Sequence, residues 1–145
     1  MKLWHSILEG ENMQVQVISS KAVPSFESIG IAHATKLGEW IFLSGQIPLD
    51  ENGEIVGKGD VFLQTTRVYE ILSQMLQEVG GTLDNIVKLT TFYTEPQDFS
   101  KIAEVRKQFF NRGYVAASSS FCVRSLPNPD ALVEIEAIAV VPEVS

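Results

Sequence analysis

The chain has 145 residues, 45% hydrophobic and 20% charged, enough to bury a real core and unlike a disordered polymer. The net charge is −7 and the 11 basic residues are scattered, with only Arg106 and Lys107 adjacent. That disfavours a nucleic-acid partner, because such binding rests on Lys and Arg neutralising phosphates. No apolar run is long enough to span a bilayer, so no membrane partner is expected. Cys122 stands alone and forms no internal disulfide, so a cytoplasmic location is expected.

Residues 1–14 read as an extension ahead of a single domain over 15–142. Leu3–Trp4 and Ile7–Leu8 are too short for the apolar core of a secretory signal. Val15–Ser19 and Ile29–Thr35 are short β-prone stretches on either side of Pro24, and Trp40–Ser44 is a stronger strand. Asp50-Glu51-Asn52-Gly53 predicts a turn, since Asn-Gly tolerates positive φ. The clearest helix is Asp60–Val79. Val61, Val68, Leu72, Met75 and Val79 recur at helical spacing, with Phe62, Ile71 and Leu76 widening the stripe. Asp60 supplies an N-cap and Gly80-Gly81 the stop. Asn85–Thr94 predicts a strand. Asp98–Asn111 predicts a second helix with Ile102, Val105, Phe109 and Phe110 inward. Ala117–Val123 and Ala131–Val141 predict the last two strands.

Strands, helix, strand, helix, strands is the order of an α+β fold with two helices on one face of a mixed sheet. In the last strand Val133, Ile135, Ala137 and Ala139 form one apolar side. Leu132, Ile138 and Val140 form the other, interrupted by Glu134 and Glu136. A strand apolar on both sides is usually covered on both, and two helices cover only one. A further subunit is therefore expected on the second face.

From Ser44-Gly45-Gln46-Ile47-Pro48-Leu49 onward the chain resembles the RidA/YjgF family. The match runs through Gln64-Thr65-Thr66, Leu83-Asp84-Asn85-Ile86-Val87-Lys88, Asp98-Phe99 and Phe109-Phe110 to Leu126-Pro127 and Ala131–Ala139. Together these pieces are specific, and they cover nearly everything from Ile29. The resemblance implies a chorismate-mutase-like α+β fold and a homotrimer whose sheets form an internal β-barrel. It also implies clefts between subunits that hydrolyse enamines and imines of small metabolites, with no cofactor.

Hydrolysing the imine of a small acid needs a cation for the carboxylate, an oriented water and a proton-transfer group. Counting back from Leu126-Pro127, the family's carboxylate-binding Arg falls on Ser118, within a serine run that includes Ser120. The family's aromatic Tyr aligns with Ile31 and its helix Asn with Ala103. The chain thus resembles an Arg-lacking subgroup whose substrate is not the usual imino acid, and Ser118→Arg is expected to raise activity on imino acids. Ser44 and Gly45 remain as ligand-binding positions, Gly45 because a backbone without a side chain lets a ligand approach. Glu134 is the candidate catalytic group. It reads either as a water-orienting base or, with Glu136, as one of two strand carboxylates in solvent.

Cys122 has no activating neighbour, and His5 and His33 are isolated, so no metal site is expected. Three functions stay open: an enamine or imine deaminase, a non-enzymatic small-ligand-binding trimer and, weakest, an endoribonuclease.

Overall fold

The structure, a computed structural model, describes residues 14–110 and 113–144. The predicted extension, apart from residue 14, and the predicted end of the second helix at Asn111 lie outside the described residues. Six strands and two helices run in the order β1 (Gln16–Ile18), β2 (Ala34–Leu37), β3 (Trp40–Gln46), α1 (Val61–Glu78), β4 (Ile86–Tyr93), α2 (Phe99–Phe109), β5 (Ala117–Cys122) and β6 (Val133–Val140). They form one mixed sheet in the order β1-β2-β3-β6-β4-β5. Every neighbouring pair is antiparallel except β4 and β5, which α2 joins by a crossover. Among the described residues no helix is long and apolar enough to cross a membrane.

Helix α1 begins where the sequence places it. Asp60 accepts a hydrogen bond from the Leu63 amide at 3.1 Å, meeting one of the free amides of the first turn. Its buried stripe carries Val68, Ile71, Leu72, Met75 and Leu76 against the sheet, together with Tyr69, which periodicity in apolar residues alone passes over. Phe62 shares Tyr69's side of the helix but lies in the first turn and is 38% exposed, so it does not widen the core as expected. The early segment also differs from expectation. Over 29–35 only Ala34 and Thr35 join a strand, because Gly30 adopts φ 82° and closes a tight turn before β2 starts.

One buried polar side chain ties the layers together. Gln64 donates to the carbonyls of Asp130 (2.9 Å) and Gly57 (3.2 Å) and accepts from the Leu132 amide (2.7 Å). All of its strong partners are backbone groups in loops, so α1 fixes the entry to β6. Gln64→Leu fills a similar volume but strands those three groups. It is expected to cost about 3 kcal/mol, read as a lower urea midpoint with unchanged slope.

The helices cover the face that carries Ile41, Leu43, Leu89, Val133, Ile135, Ala137 and Ala139. On the other face Trp40, Phe42 and Phe121 are 49%, 42% and 52% exposed. Phe121 stacks on Phe92 with ring centroids 5.9 Å apart, and Phe42 stands opposite Ile138. Between these aromatic residues the same face carries Lys88, Thr90 and Glu136, and among the described residues no element covers it.

Candidate functional site

Glu134 sits on β6 between the buried Val133 and Ile135, and its side chain points to the uncovered face. The adjacent β3 changes register there. Leu43 pairs with Ala137 and Gln46 with Ile135, so the ladder is irregular over Ser44 and Gly45. The Glu134 carboxyl group lies over Gly45. A Cβ placed on Gly45 would overlap Glu134 Oε1 and stand 3.0 Å from its Cδ. Gly45 thus leaves room for a close approach, and what approaches is the protein's own carboxyl group.

Around this contact lies a cleft of about 200 Å³. Ile31, Ser44, Gly45 and Glu134, four of the positions named from the sequence, line it. Phe26, Ile29, Ile47 and Pro127 add apolar walls. Sequence reasoning missed these four. Ile47 and Pro127 belong to motifs that carried the resemblance, and their part in the wall needed the fold.

Ser44 donates its hydroxyl hydrogen to the Ala32 carbonyl at 2.7 Å, so toward a ligand it offers only lone pairs. His33, also at the wall, is fully used by the scaffold. The Ser20 amide donates to its Nδ1 at 2.8 Å, which leaves Nε2–H to donate to the Pro24 carbonyl at 2.8 Å. That leaves Glu134 as the cleft's one carboxylate.

Burial, and secondarily the negative charge of Glu136, hold the Glu134 carboxyl above the ordinary carboxylate range. The folded protein therefore binds this proton more tightly than the unfolded chain. The stability contributed is complete below the ordinary carboxylate range and is lost as pH rises through the raised value. Glu136→Gln removes the smaller cause. The Glu134 midpoint, followed by carbon NMR of the carboxyl group, is expected to move down yet stay above the ordinary range because burial persists.

The other predicted positions lie elsewhere. Ser118 and Ser120 stand on the edge strand β5, paired in register with Leu89 and Thr91. β4 lies between that strand and β6, and the two serines share the helix-covered face with Leu89 and Ile135 while Glu134 points to the other, so in one chain they do not meet it. Ala103 lies on α2 and is half-buried. Ser118 has a partner that the sequence did not suggest. Arg106, on α2, donates from Nη1 to Ser118 Oγ at 3.2 Å. Nearby are two buried hydroxyls, Tyr69 and Thr91, with no hydrogen-bond partner among the described residues. Burial pushes the Tyr69 hydroxyl up, and the charge of Arg106 opposes that shift. Arg106 thus acts electrostatically on a wall formed by Tyr69 stacked on Phe109.

A larger groove of about 420 Å³ is lined by Lys21, Asp50, Asn52 and Arg67. Its arginine is already committed, donating to the carbonyls of Leu49 (2.8 Å) and Ala22 (3.0 Å). Among the described residues no three His, Cys, Asp or Glu side chains gather as metal ligands.

A family described as endoribonuclease L-PSP matches residues 28–141, which include every cleft residue named above except Phe26. A RutC family protein of Pyrococcus abyssi is 41% identical over 129 residues, covering 88% of this chain and 98% of the relative. The chain belongs to the RidA/YjgF family. Within it, 3-aminoacrylate deaminase RutC of Acinetobacter baylyi is 35% identical over 107 residues, 73% of this chain and 82% of that one. The crystal structure of Escherichia coli TdcF with bound serine superposes with a TM-score of 0.78 at 36% identity, covering 86% of this chain and 98% of TdcF. The α+β architecture read from the sequence is therefore the RidA-family fold, with a six-stranded sheet and two helices.

Proposed function

We propose that this RidA-family protein is a deaminase that hydrolyses the C=N bond of a small enamine or imine, in clefts formed between the subunits of a cytoplasmic homotrimer. The observation that carries the reading is the Glu134 carboxyl group, laid over Gly45 in an apolar-walled cleft and held above its ordinary range. A carboxylate so placed is a stronger base than one in water, yet it still ionises. It would take a proton from water as the oxygen adds to the imine carbon. The nitrogen gains a proton, the C–N bond breaks, and ammonia and a carbonyl compound leave. An enamine enters the same route after protonation at carbon.

The uncovered aromatic face supports the assembly. Trp40, Phe42 and Phe121 offer a second copy the kind of surface that obligate interfaces bury. An assembly through this face would give Glu134 of one subunit the chance to meet the Ser118 edge of the next. TdcF with bound serine and the RutC deaminase make small amino-acid-like compounds the class to test.

Freshly generated 2-iminopropanoate separates this reading from a trimer that only binds a small ligand. That second reading is favoured by Ile31, an apolar side chain in the cleft wall that brings no hydroxyl to a ligand. Ammonia release accelerated by the protein and lost in Glu134→Ala would eliminate the binder. No acceleration on any small enamine or imine would eliminate the deaminase. The ribonuclease reading is the weakest, since the net charge of −7 opposes an RNA substrate.

A further inference from the structure

The neutral β5 strand, taken alone, argues against a substrate with a negative charge. Helix α2 changes that argument, because it delivers a guanidinium to the same place. Arg106 donates to Ser118 Oγ at 3.2 Å, bridging helix and edge strand. No described carboxylate forms an ion pair with it, whereas Arg67 pairs with Glu70 and is spent on two carbonyls. Among the described residues Ser118 is the one hydrogen-bond acceptor of Arg106, and it engages only one of the N–H groups of the fork. Lys88, the cation nearest along the sheet, is engaged with Ser119 at 2.7 Å from the opposite face of β5.

We propose that Arg106, steered by the Ser118 hydroxyl, is the anion-binding group of the cleft, and that the substrate is a small imino or enamino acid carrying a carboxylate. This rests on the intersubunit reading above. Arg106 of one subunit holds the carboxylate while the C=N carbon faces Glu134 of the next. The charge a strand arginine would supply arrives instead from a helix, with the strand reduced to a hydrogen-bond acceptor. Ser118→Arg then sets a second guanidinium against the first, and its expected effect changes from gain to loss.

Pyruvate, the product of 2-iminopropanoate hydrolysis, and the neutral pyruvamide separate the charge from the rest of the ligand. Both would be titrated calorimetrically into the unaltered protein and into Arg106→Gln, Arg106→Lys and Ser118→Ala, with assembly followed by sedimentation. Pyruvate Kd is expected to rise about tenfold or more in Arg106→Gln, the loss of a charge-assisted pair. Arg106→Lys should fall between, keeping the charge without the fork, and Ser118→Ala should weaken pyruvate about threefold through lost aim. Pyruvamide should bind all four alike. In kinetics, KM for 2-iminopropanoate should rise with kcat little changed. Equal pyruvate affinity in the unaltered protein and Arg106→Gln, or no pyruvate binding by the unaltered protein, overturns the assignment. If Arg106→Gln fails to assemble, equal affinity in Arg106→Lys and Ser118→Ala does the same. Arg106-dependent pyruvate binding without ammonia release would keep the anion site and remove the deaminase. Ammonia release indifferent to Arg106→Gln would keep the deaminase and remove the anion site.

Discussion

Gly45→Ala is expected to lower ammonia release about 100-fold with the melting temperature and assembly unchanged, the scale of loss from moving a reacting group by about 1 Å. The added methyl would overlap Glu134 Oε1 and crowd its Cδ at 3.0 Å. The crowded atoms are the free end of a flexible side chain, so the carboxyl group rotates away at little cost to the fold. The loss should appear in kcat, since the apolar walls at Phe26, Ile47 and Pro127 stay in place. A parallel measurement makes the cause visible. With the carboxyl group moved toward solvent, the Glu134 midpoint should fall, because burial is the larger reason for its elevation. Undiminished turnover in Gly45→Ala would mean that the position of Glu134 does not matter to the reaction.

Phe42→Glu is expected to break the assembly and, with it, activity. Phe42 lies on the uncovered face, 42% exposed and opposite Ile138, so the core of a single chain does not depend on it. In the proposed trimer the substitution puts a carboxylate into an apolar contact once per subunit. Burying a charge beside Glu136, with Lys88 already engaged by Ser119, costs several kcal/mol, and every ~1.4 kcal/mol is a factor of about ten in the association constant. Sedimentation at micromolar concentration should show the 16.0 kDa single chain, with far-UV circular dichroism as in the unaltered protein. Leu63→Glu is the matched control. It exposes the same chemistry on α1, away from that face, and should leave the mass unchanged. A Phe42→Glu protein of undiminished mass would show that the aromatic face is not the contact between subunits.

Much of the fold is legible in the sequence because local and global signals agree there. The Asp60 cap, the stripe from Val61 to Met75 and the Gly80-Gly81 stop all describe α1, and the helix runs Val61–Glu78. β4 and β6 likewise fall inside their predicted spans. The first fifty residues were harder to read, because a turn at Gly30 and an irregular ladder at Ser44–Gly45 obey tertiary needs. The cleft divides in the same way. Glu134, Gly45, Ser44 and Ile31 could be grouped from motif positions, and the structure gathers them into one wall. The bond from Arg106 to Ser118 was not legible. It joins a helix to a strand 12 residues later, and neither residue stands out in its own segment. Counting along β5 finds the missing arginine but not its replacement, since that depends on how α2 lies across the sheet.

The Gln64 amide holds the Leu132 N–H two residues before Glu134. The carboxylate thus inherits its aim from a helix that contributes nothing to the cleft lining. Repacking beneath α1, at the fully buried Val68 or Leu72, would act on that anchor as well as on the core, so turnover should fall together with the melting temperature. A hunt for rate-changing variants confined to the cleft would pass over the residues that point its working group.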